Sequence, residues 1–241
     1  MKTITWLSPQ DDPEWFPPLE QALDEPAGLL AAGGDLSSVR LLAAYRRGIF
    51  PWYSVGQPVL WWSPDPRAVL FPGEFKCSRS LAKTLRNGGF SVTIDESFTA
   101  VIDACAAPRA HSPGTWITSD MRAAYIELHT QGFAHSVEVS HGGKLAGGLY
   151  GVRLGAVFFG ESMFSRQRDA SKVALAHLVG LCGCNHIDLI DCQLSSRHLE
   201  SLGARIIPRV QFQALLARMI GRTAQPLVKS PVTPTIDTAA R

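Results

Sequence analysis

The chain has 241 residues, 46% hydrophobic and 18% charged, with 23 Lys plus Arg against 21 Asp plus Glu for a formal charge of +2. That composition excludes a disordered, collagenous or coiled-coil chain. A sum so near zero also excludes binding to a polyanion by bulk charge, so any such partner must meet a local basic patch.

In chain order, the stretch MKTITWLSPQDDPEWF is broken by Pro9, Asp11, Asp12, Pro13 and Glu14 before an apolar run could form a signal peptide. No later stretch reaches the ~20 apolar residues of a spanning helix. The expectation is a cytoplasmic protein with no membrane partner. The first sixty-odd residues, rich in Pro, Gly and Trp, predict a small turn-rich module. Its helix is SSVRLLAAYRRG, capped by Asp35 or Ser37 and stopped by Gly48. Pro64 and Pro66 around Asp65 forbid helix and suit a crossing between domains, which places a boundary near 63. The expected division is 1–63, a larger domain over 64–221, and a disordered tail over 222–241 carrying Pro226, Pro231 and Pro234.

Beyond the boundary the pattern predicts a helix over 78–87, a strand over 91–95, a helix over 97–107 and a helix from Ser119 to Gly132. Strands at 135–140, 144–153 and 156–160 are joined by HGG and LG, hairpin-length connections that make neighbours antiparallel. A helix from Ser171 to Gly183, a strand over 186–191, a short helix SSRHLESLG, a strand over 205–207 and a helix near 209–221 complete the order. The fold class is α+β with a mixed, largely antiparallel sheet, an order shared by the N-acetyltransferase-like (GNAT-like) fold. Five cysteines, odd in number and without a C-x-x-C pair, read as reduced, mostly buried thiols.

Chemistry concentrates in two strings. In IDCQ at 190–193 a strand puts Asp191 and Gln193 on one face and Cys192 on the other. Asp191 can then fix the rotamer of Gln193 and leave its amide aimed at a ligand; the alternative is a polar pair capping the helix that starts at Ser195 or Ser196. In FFGESMFSR at 158–166, Glu161 lies between apolar residues, where an acid must be paired or used. It is either a functional group or the partner of Arg166 or Arg168. Phe158, Phe159, Met163 and Phe164, with Leu149 and Tyr150, line an apolar pocket or simply fill the core.

Trp52, Trp61, Trp62 and Trp116 sit in Pro- or Gly-flanked turns, as stacking platforms for a base or as staples between the two modules. Lys76, Arg79, Lys83 and Arg86, spaced 3, 4 and 3 on a helix from about residue 76, form a basic stripe suited to a phosphate backbone, or an ordinary solvated face. The seven histidines lack the H-E-x-x-H and H-x-x-x-H spacings of zinc enzymes, and there is neither a G-K-[ST] phosphate loop nor a G-x-S-x-G elbow.

The strings GLLAAGGDLS, GIFPWY, PVLWWSPDPRAVL, GTWIT, AHSVEV, GGLYGV, FFGESMFSR, ASK and IDCQ, in this order over about residues 16–221, closely resemble the leucyl/phenylalanyl-tRNA–protein transferase family. The resemblance implies transfer of Leu or Phe, and less readily Met, from aminoacyl-tRNA to the N-terminal Arg or Lys of a protein, marking it for degradation. It implies a small N-terminal domain joined to a GNAT-like domain, with no metal and no cofactor. By the same resemblance Asp191 and Gln193 orient the attacking amine, and Glu161 stands in the aminoacyl or acceptor site. Trp52 and Trp116 hold the terminal adenosine, and Lys76, Arg79 and Lys83 fall in the tRNA-binding basic cluster. Ser140 departs from the Trp expected after AHSVEV. The run Arg166-Gln-Arg-Asp-Ala lacks the glycines of the acetyltransferase pyrophosphate loop, so coenzyme A is a poor candidate despite the fold. Two rivals remain open at this level: a tRNA-binding module without transfer, and an N-acyltransferase using a small-molecule thioester.

Overall fold

The computed structural model describes residues 2–108, 117–222 and 227. Near the amino terminus β1 (Thr5–Leu7), β2 (Leu29–Gly33), β3 (Phe50–Pro51) and β4 (Leu60–Trp62) form a four-stranded sheet in the order β1-β2-β4-β3. Between β2 and β3 runs α1 (Ser38–Arg46), capped by Ser37, whose side chain accepts from the Arg40 N–H. It ends at Gly48, which takes a φ of +73° that only glycine adopts freely. Trp61 is fully buried; its ring packs edge-on against Phe16 and its Nε1 donates to the Gly33 carbonyl at 2.9 Å.

A second, seven-stranded sheet has the order β11-β5-β10-β9-β8-β7-β6. Its strands are β5 (Arg67–Leu70), β6 (Phe90–Ile94), β7 (Ala134–His141), β8 (Lys144–Leu154), β9 (Val157–Ser165), β10 (Leu189–Gln193) and β11 (Arg205–Ile207). All pairs are antiparallel except β10 with β9, which is parallel. One face packs on α1, α3 (Phe98–Ala106), α4 (Ser119–Thr130) and α7 (Arg209–Met219). The other packs on α2 (Arg79–Asn87), α5 (Ala170–Asn185) and α6 (Arg197–Ser201). The first of these cores runs unbroken from Leu7, Phe16 and Trp61 to Phe159 and Phe212, so the small sheet shares its interior with the large one. Among the described residues no helix is long and apolar enough to cross a membrane.

The α+β class and the mixed, largely antiparallel sheet are as the sequence predicts. Several boundaries differ, each for a physical reason. The segment over 61–72, expected as a crossing, contains β5; the prolines end before Arg67, and RAVL is buried on both faces like any interior strand. The strand expected to end at 160 continues to Ser165 because Glu161 is accommodated by a bulge opposite Tyr150 and Gly151. α4 is capped by Thr118 in place of Ser119, and α5 passes Gly183 to end at His186, the residue in the left-handed region. The helix expected from about residue 76 begins at Arg79, capped by Ser78, so Lys76 lies in the preceding connection. Of the five free cysteines two are buried and Cys184 is exposed. The expected tail lies outside the described residues except for Arg222 and Leu227.

Gly151 permits the bend at the β8–β9 bulge. A Cβ there would stand 2.2 Å from the Phe159 carbonyl oxygen and 2.5 Å from the Phe158 ring. Gly151→Ala is therefore expected to destabilise the chain by about 2–4 kcal/mol, read as a lower urea midpoint at unchanged m-value.

Candidate active site

The parallel pairing of β9 with β10 runs from Leu189 opposite Val157 to Asp191 opposite Phe159 and goes no further. Beyond it each strand carries one unpaired residue: Glu161 on β9, between the Tyr150–Ser162 and Gly151–Gly160 pairs, and Cys192 on β10, between the Asp191–Val69 and Gln193–Ala68 pairs. Gln193 itself takes a φ of +62°. The two strands separate, and a cavity of about 260 Å³ opens between them and α5. Its apolar wall is Leu149, Phe158, Met163, Leu175, Leu178 and Ile190, and its polar wall includes Glu161, Ser162, Asp191 and Gln193. The volume lies below the roughly 300–1,000 Å³ of small-molecule sites and suits a single amino-acid side chain.

Asp191 is fully buried and met in bidentate fashion by Arg67, with Nε on Oδ1 at 2.8 Å and Nη2 on Oδ2 at 2.7 Å. The guanidinium is gripped between the rings of Phe50, 4.9 Å away, and Phe212, 4.7 Å away. This geometry suits Arg, whose planar fork matches both carboxylate oxygens and whose faces stack on aromatic rings. Asp191 Oδ1 also accepts the backbone N–H of Gln193 at 2.9 Å. The carboxylate thus fixes the Gln193 backbone, where the sequence reading expected it to fix the side-chain rotamer.

The Gln193 side chain is held from the other strand. Its Nε2 donates to Glu161 Oε1 at 3.0 Å. Glu161, 8% exposed, also lies within hydrogen-bond distance of Tyr45 Oη at Oε1 and of Tyr125 Oη at Oε2, both at 2.7 Å. Burial pushes the Glu161 carboxyl up to about 7; the Tyr125 and Tyr45 hydroxyls oppose the shift, the Asp191 charge adds to it and the Arg67 charge opposes it. Burial and the nearby Glu161 hold the Tyr45 and Tyr125 hydroxyls well above their ordinary range. The Cys192 thiol, which also lines the cavity, is pushed up to about 12 by burial and by Asp191, so it is no thiolate nucleophile near neutral pH.

Leu149 and Phe158 line the cavity with Tyr150 and Met163, whereas Phe159 and Phe164 turn to the opposite core, where Phe159 meets Tyr45. The alternative partners of Glu161 lie elsewhere: Arg166 stands over Phe164 and Arg168 pairs with Asp169. The α6 cap is Ser196, so Asp191 and Gln193 are not capping residues. Trp52 is 42% exposed, tilted against Trp62, whose Nε1 donates to the Trp52 carbonyl. Trp116 lies outside the described residues; two positions on, Thr118 Oγ1 meets Tyr53 Oη at 3.0 Å. Lys76, Arg79, Lys83 and Arg86 are all exposed, three of them on α2 and none of them on the cavity. Ser140 sits on β7 opposite Ser91, away from the cavity wall.

The family described as "Leucyl/phenylalanyl-tRNA protein transferase" matches residues 69–217, and its N-terminal domain matches residues 34–65. The chain belongs to this family. A leucyl/phenylalanyl-tRNA–protein transferase of Pseudomonas entomophila is 60% identical over 215 residues, covering 89% of this chain and 94% of that protein. Those of Stutzerimonas stutzeri and Chromobacterium violaceum are 59% identical over 219 residues and 56% over 223, covering 91% and 92% of this chain and 96% and 94% of theirs. Among solved structures, L-PGS from Bacillus licheniformis superposes with a TM-score of 0.39 at 9% identity, over 65% of this chain and 50% of that one. A GCN5-related N-acetyltransferase from Kribbella flavida gives 0.37 at 10%, over 70% and 59%.

Sequence reasoning missed three residues of this family member's candidate site: Arg67, Tyr45 and Tyr125. Arg67 carried a usable signal, a lone basic residue opening the apolar run RAVL, which requires a buried anion. Tyr45 and Tyr125 carried none, because a tyrosine on the apolar side of a helix reads as core. Among the described residues no group of three or more His, Cys, Asp or Glu could hold a metal ion.

Two measurements check this geometry. Arg67→Ala should lower stability by about 3–5 kcal/mol by leaving Asp191 buried and unpaired, and Arg67→Lys should recover only part of it. For Glu161 the sign follows from its raised value: the folded chain holds a proton that the unfolded chain has released above its ordinary carboxylate value. That stabilisation is full in acid and is lost as pH rises to about 7. Relative to Glu161→Gln, the thermal midpoint of the native chain should fall across that window.

Proposed function

We propose that the chain transfers leucine or phenylalanine, and less readily methionine, from aminoacyl-tRNA to the α-amine of proteins beginning with Arg or Lys. A peptide bond forms and the product is marked for degradation. The observation that carries this reading is the Gln193 amide, tethered through its backbone to Asp191 and through its side chain to Glu161, on the wall of an apolar cavity sized for one side chain.

An aminoacyl-tRNA ester is already activated, and an α-amine with a pKa of roughly 7.7–8.0 is partly free near neutral pH, so the reaction needs mostly alignment. The amine lone pair forms the C–N bond, the ester C–O bond breaks, and the tRNA leaves as an alcohol carrying a proton given up by the amine. The cavity takes the Leu or Phe side chain, and the Gln193 carbonyl accepts a hydrogen bond from the incoming amine. Asp191, with both oxygens committed to Arg67 and one of them also to the Gln193 N–H, positions that glutamine. The tRNA end stacks on Trp52 and Trp116, and its phosphates meet Lys76, Arg79 and Lys83. We assign a small N-terminal domain up to residue 63, which supplies Trp52, and a catalytic domain over residues 64–221, which supplies the remaining contacts and the chemistry, in the cytoplasm, with no cofactor.

Transfer from Phe-tRNA to an Arg-initiated peptide should fall by about 100-fold or more in Gln193→Ala and in Asp191→Ala. Unchanged turnover in both would overturn the assignment. Replacing Lys76, Arg79 and Lys83 together by Ala should weaken tRNA binding and flatten its log–log salt slope by about 2–3. A slope that does not move makes the stripe a solvated face.

A further inference from the structure

The contacts around Glu161 require one more hydrogen than the tyrosines supply. Tyr45 Oη lies 2.7 Å from Glu161 Oε1, Tyr125 Oη lies 2.7 Å from Glu161 Oε2, and the two hydroxyl oxygens lie 2.5 Å from each other. Each of these oxygen–oxygen contacts holds only with a hydrogen between the atoms, and two hydroxyl groups supply two. All four oxygens belong to buried residues on α1, α4 and β9, so an unbridged contact there is expensive. The third hydrogen belongs on the carboxyl group. With it on Oε2, Glu161 donates to Tyr125, Tyr125 donates to Tyr45, and Tyr45 donates to Oε1, and the ring closes in one direction. Oε1 is then a carbonyl oxygen whose second lone pair takes Gln193 Nε2. That bond settles which way the amide faces: its NH₂ looks at Glu161 and its carbonyl oxygen is left for a donor in the cavity.

We propose that Glu161 works as a neutral carboxylic acid, closing a one-way hydrogen-bond ring with Tyr45 and Tyr125 that fixes the Gln193 carbonyl toward the attacking amine. The two tyrosines are thereby positioning residues. The ring stands on the contacts alone; its use in transfer rests on the function proposed above. The groups that face it agree with a neutral acid. Tyr150 on β8 and the Cys192 thiol on β10 contribute no charge near neutral pH; Asp191 on β10 repels a second carboxylate, and Arg67 on β5, which would favour one, is engaged in bidentate fashion with Asp191. When Glu161 ionises, above about 7, two hydrogens remain for three contacts and the ring opens.

The test labels the full-length chain with ¹³C at its glutamate carboxyl groups and assigns the Glu161 resonance by its loss in Glu161→Gln. The acid-form signal is expected at about pH 6, well above the ordinary carboxylate range, with a midpoint that moves in Tyr45→Phe and in Tyr125→Phe. A carboxylate signal at that pH, or a midpoint indifferent to both tyrosines, overturns the ring. In the transfer assay Glu161→Ala should lose about 100-fold in kcat with the KM for tRNA within about threefold. Glu161→Gln should recover at least about tenfold over Ala, because its carboxamide offers Tyr125 an N–H in place of the acid O–H and offers Tyr45 and Gln193 an equivalent carbonyl. The rescued variant should also lack the native fall in kcat above about 7. A Gln variant no better than Ala, in a chain whose native form transfers, overturns the role in positioning. A native chain that transfers nothing at any pH while Glu161 titrates near neutrality defeats the transfer reading and leaves the ring standing.

Discussion

Arg67 and Asp191 join the parts of this molecule that would otherwise have little reason to meet. The pair spans β5 and β10, strands more than a hundred residues apart in sequence whose registry it helps to fix. Its guanidinium is walled by Phe50 from the small sheet and Phe212 from α7. A buried ion pair of this kind seldom adds net stability over an apolar substitute, but it strongly penalises any arrangement that separates its members. Here the penalised arrangements are those in which β5, β10, the small module or α7 is displaced, and with them the backbone of Gln193.

The site uses two carboxyl groups in contrasting surroundings. Asp191 is satisfied by a cation and a backbone N–H, while Glu161 faces hydroxyls and an amide. Paired acids divide their tasks in this way when one environment supports charge and the other supports a proton. Glu161 is itself the extra residue of one bulge and Asp191 precedes the extra residue of the other, and the two bulges aim side chains across the gap without disturbing the pairing on either side.

Much of this was legible beforehand. The strands between 135 and 160 announced themselves by β-type runs and short glycine-bearing connections, and the helix at 38 by its Ser37 cap and Gly48 stop. β5 did not, because its four buried residues follow two prolines and a tertiary partner, not a periodicity, makes them a strand. The start of α2 and the end of α5 differ from expectation by a few residues, α2 beginning after its Ser78 cap and α5 running on to the left-handed His186. In the site, Asp191, Gln193 and Glu161 stood out as polar residues in apolar surroundings, where such groups demand an explanation. Their partners did not stand out: Tyr45 and Tyr125 differ from phenylalanine by one oxygen each, and only the fold brings α1 and α4 to the same point on β9.

The aromatic walls around Arg67 also bear on how the chain comes off the ribosome. Phe50 is made long before Phe212, yet both enclose the same guanidinium. A nascent chain still short of α7 has most of its sheets but leaves Arg67 open to water on one side, where its hold on Asp191 is weakened. Competence at the cavity is thus acquired only once α7 has been made and has packed on the guanidinium.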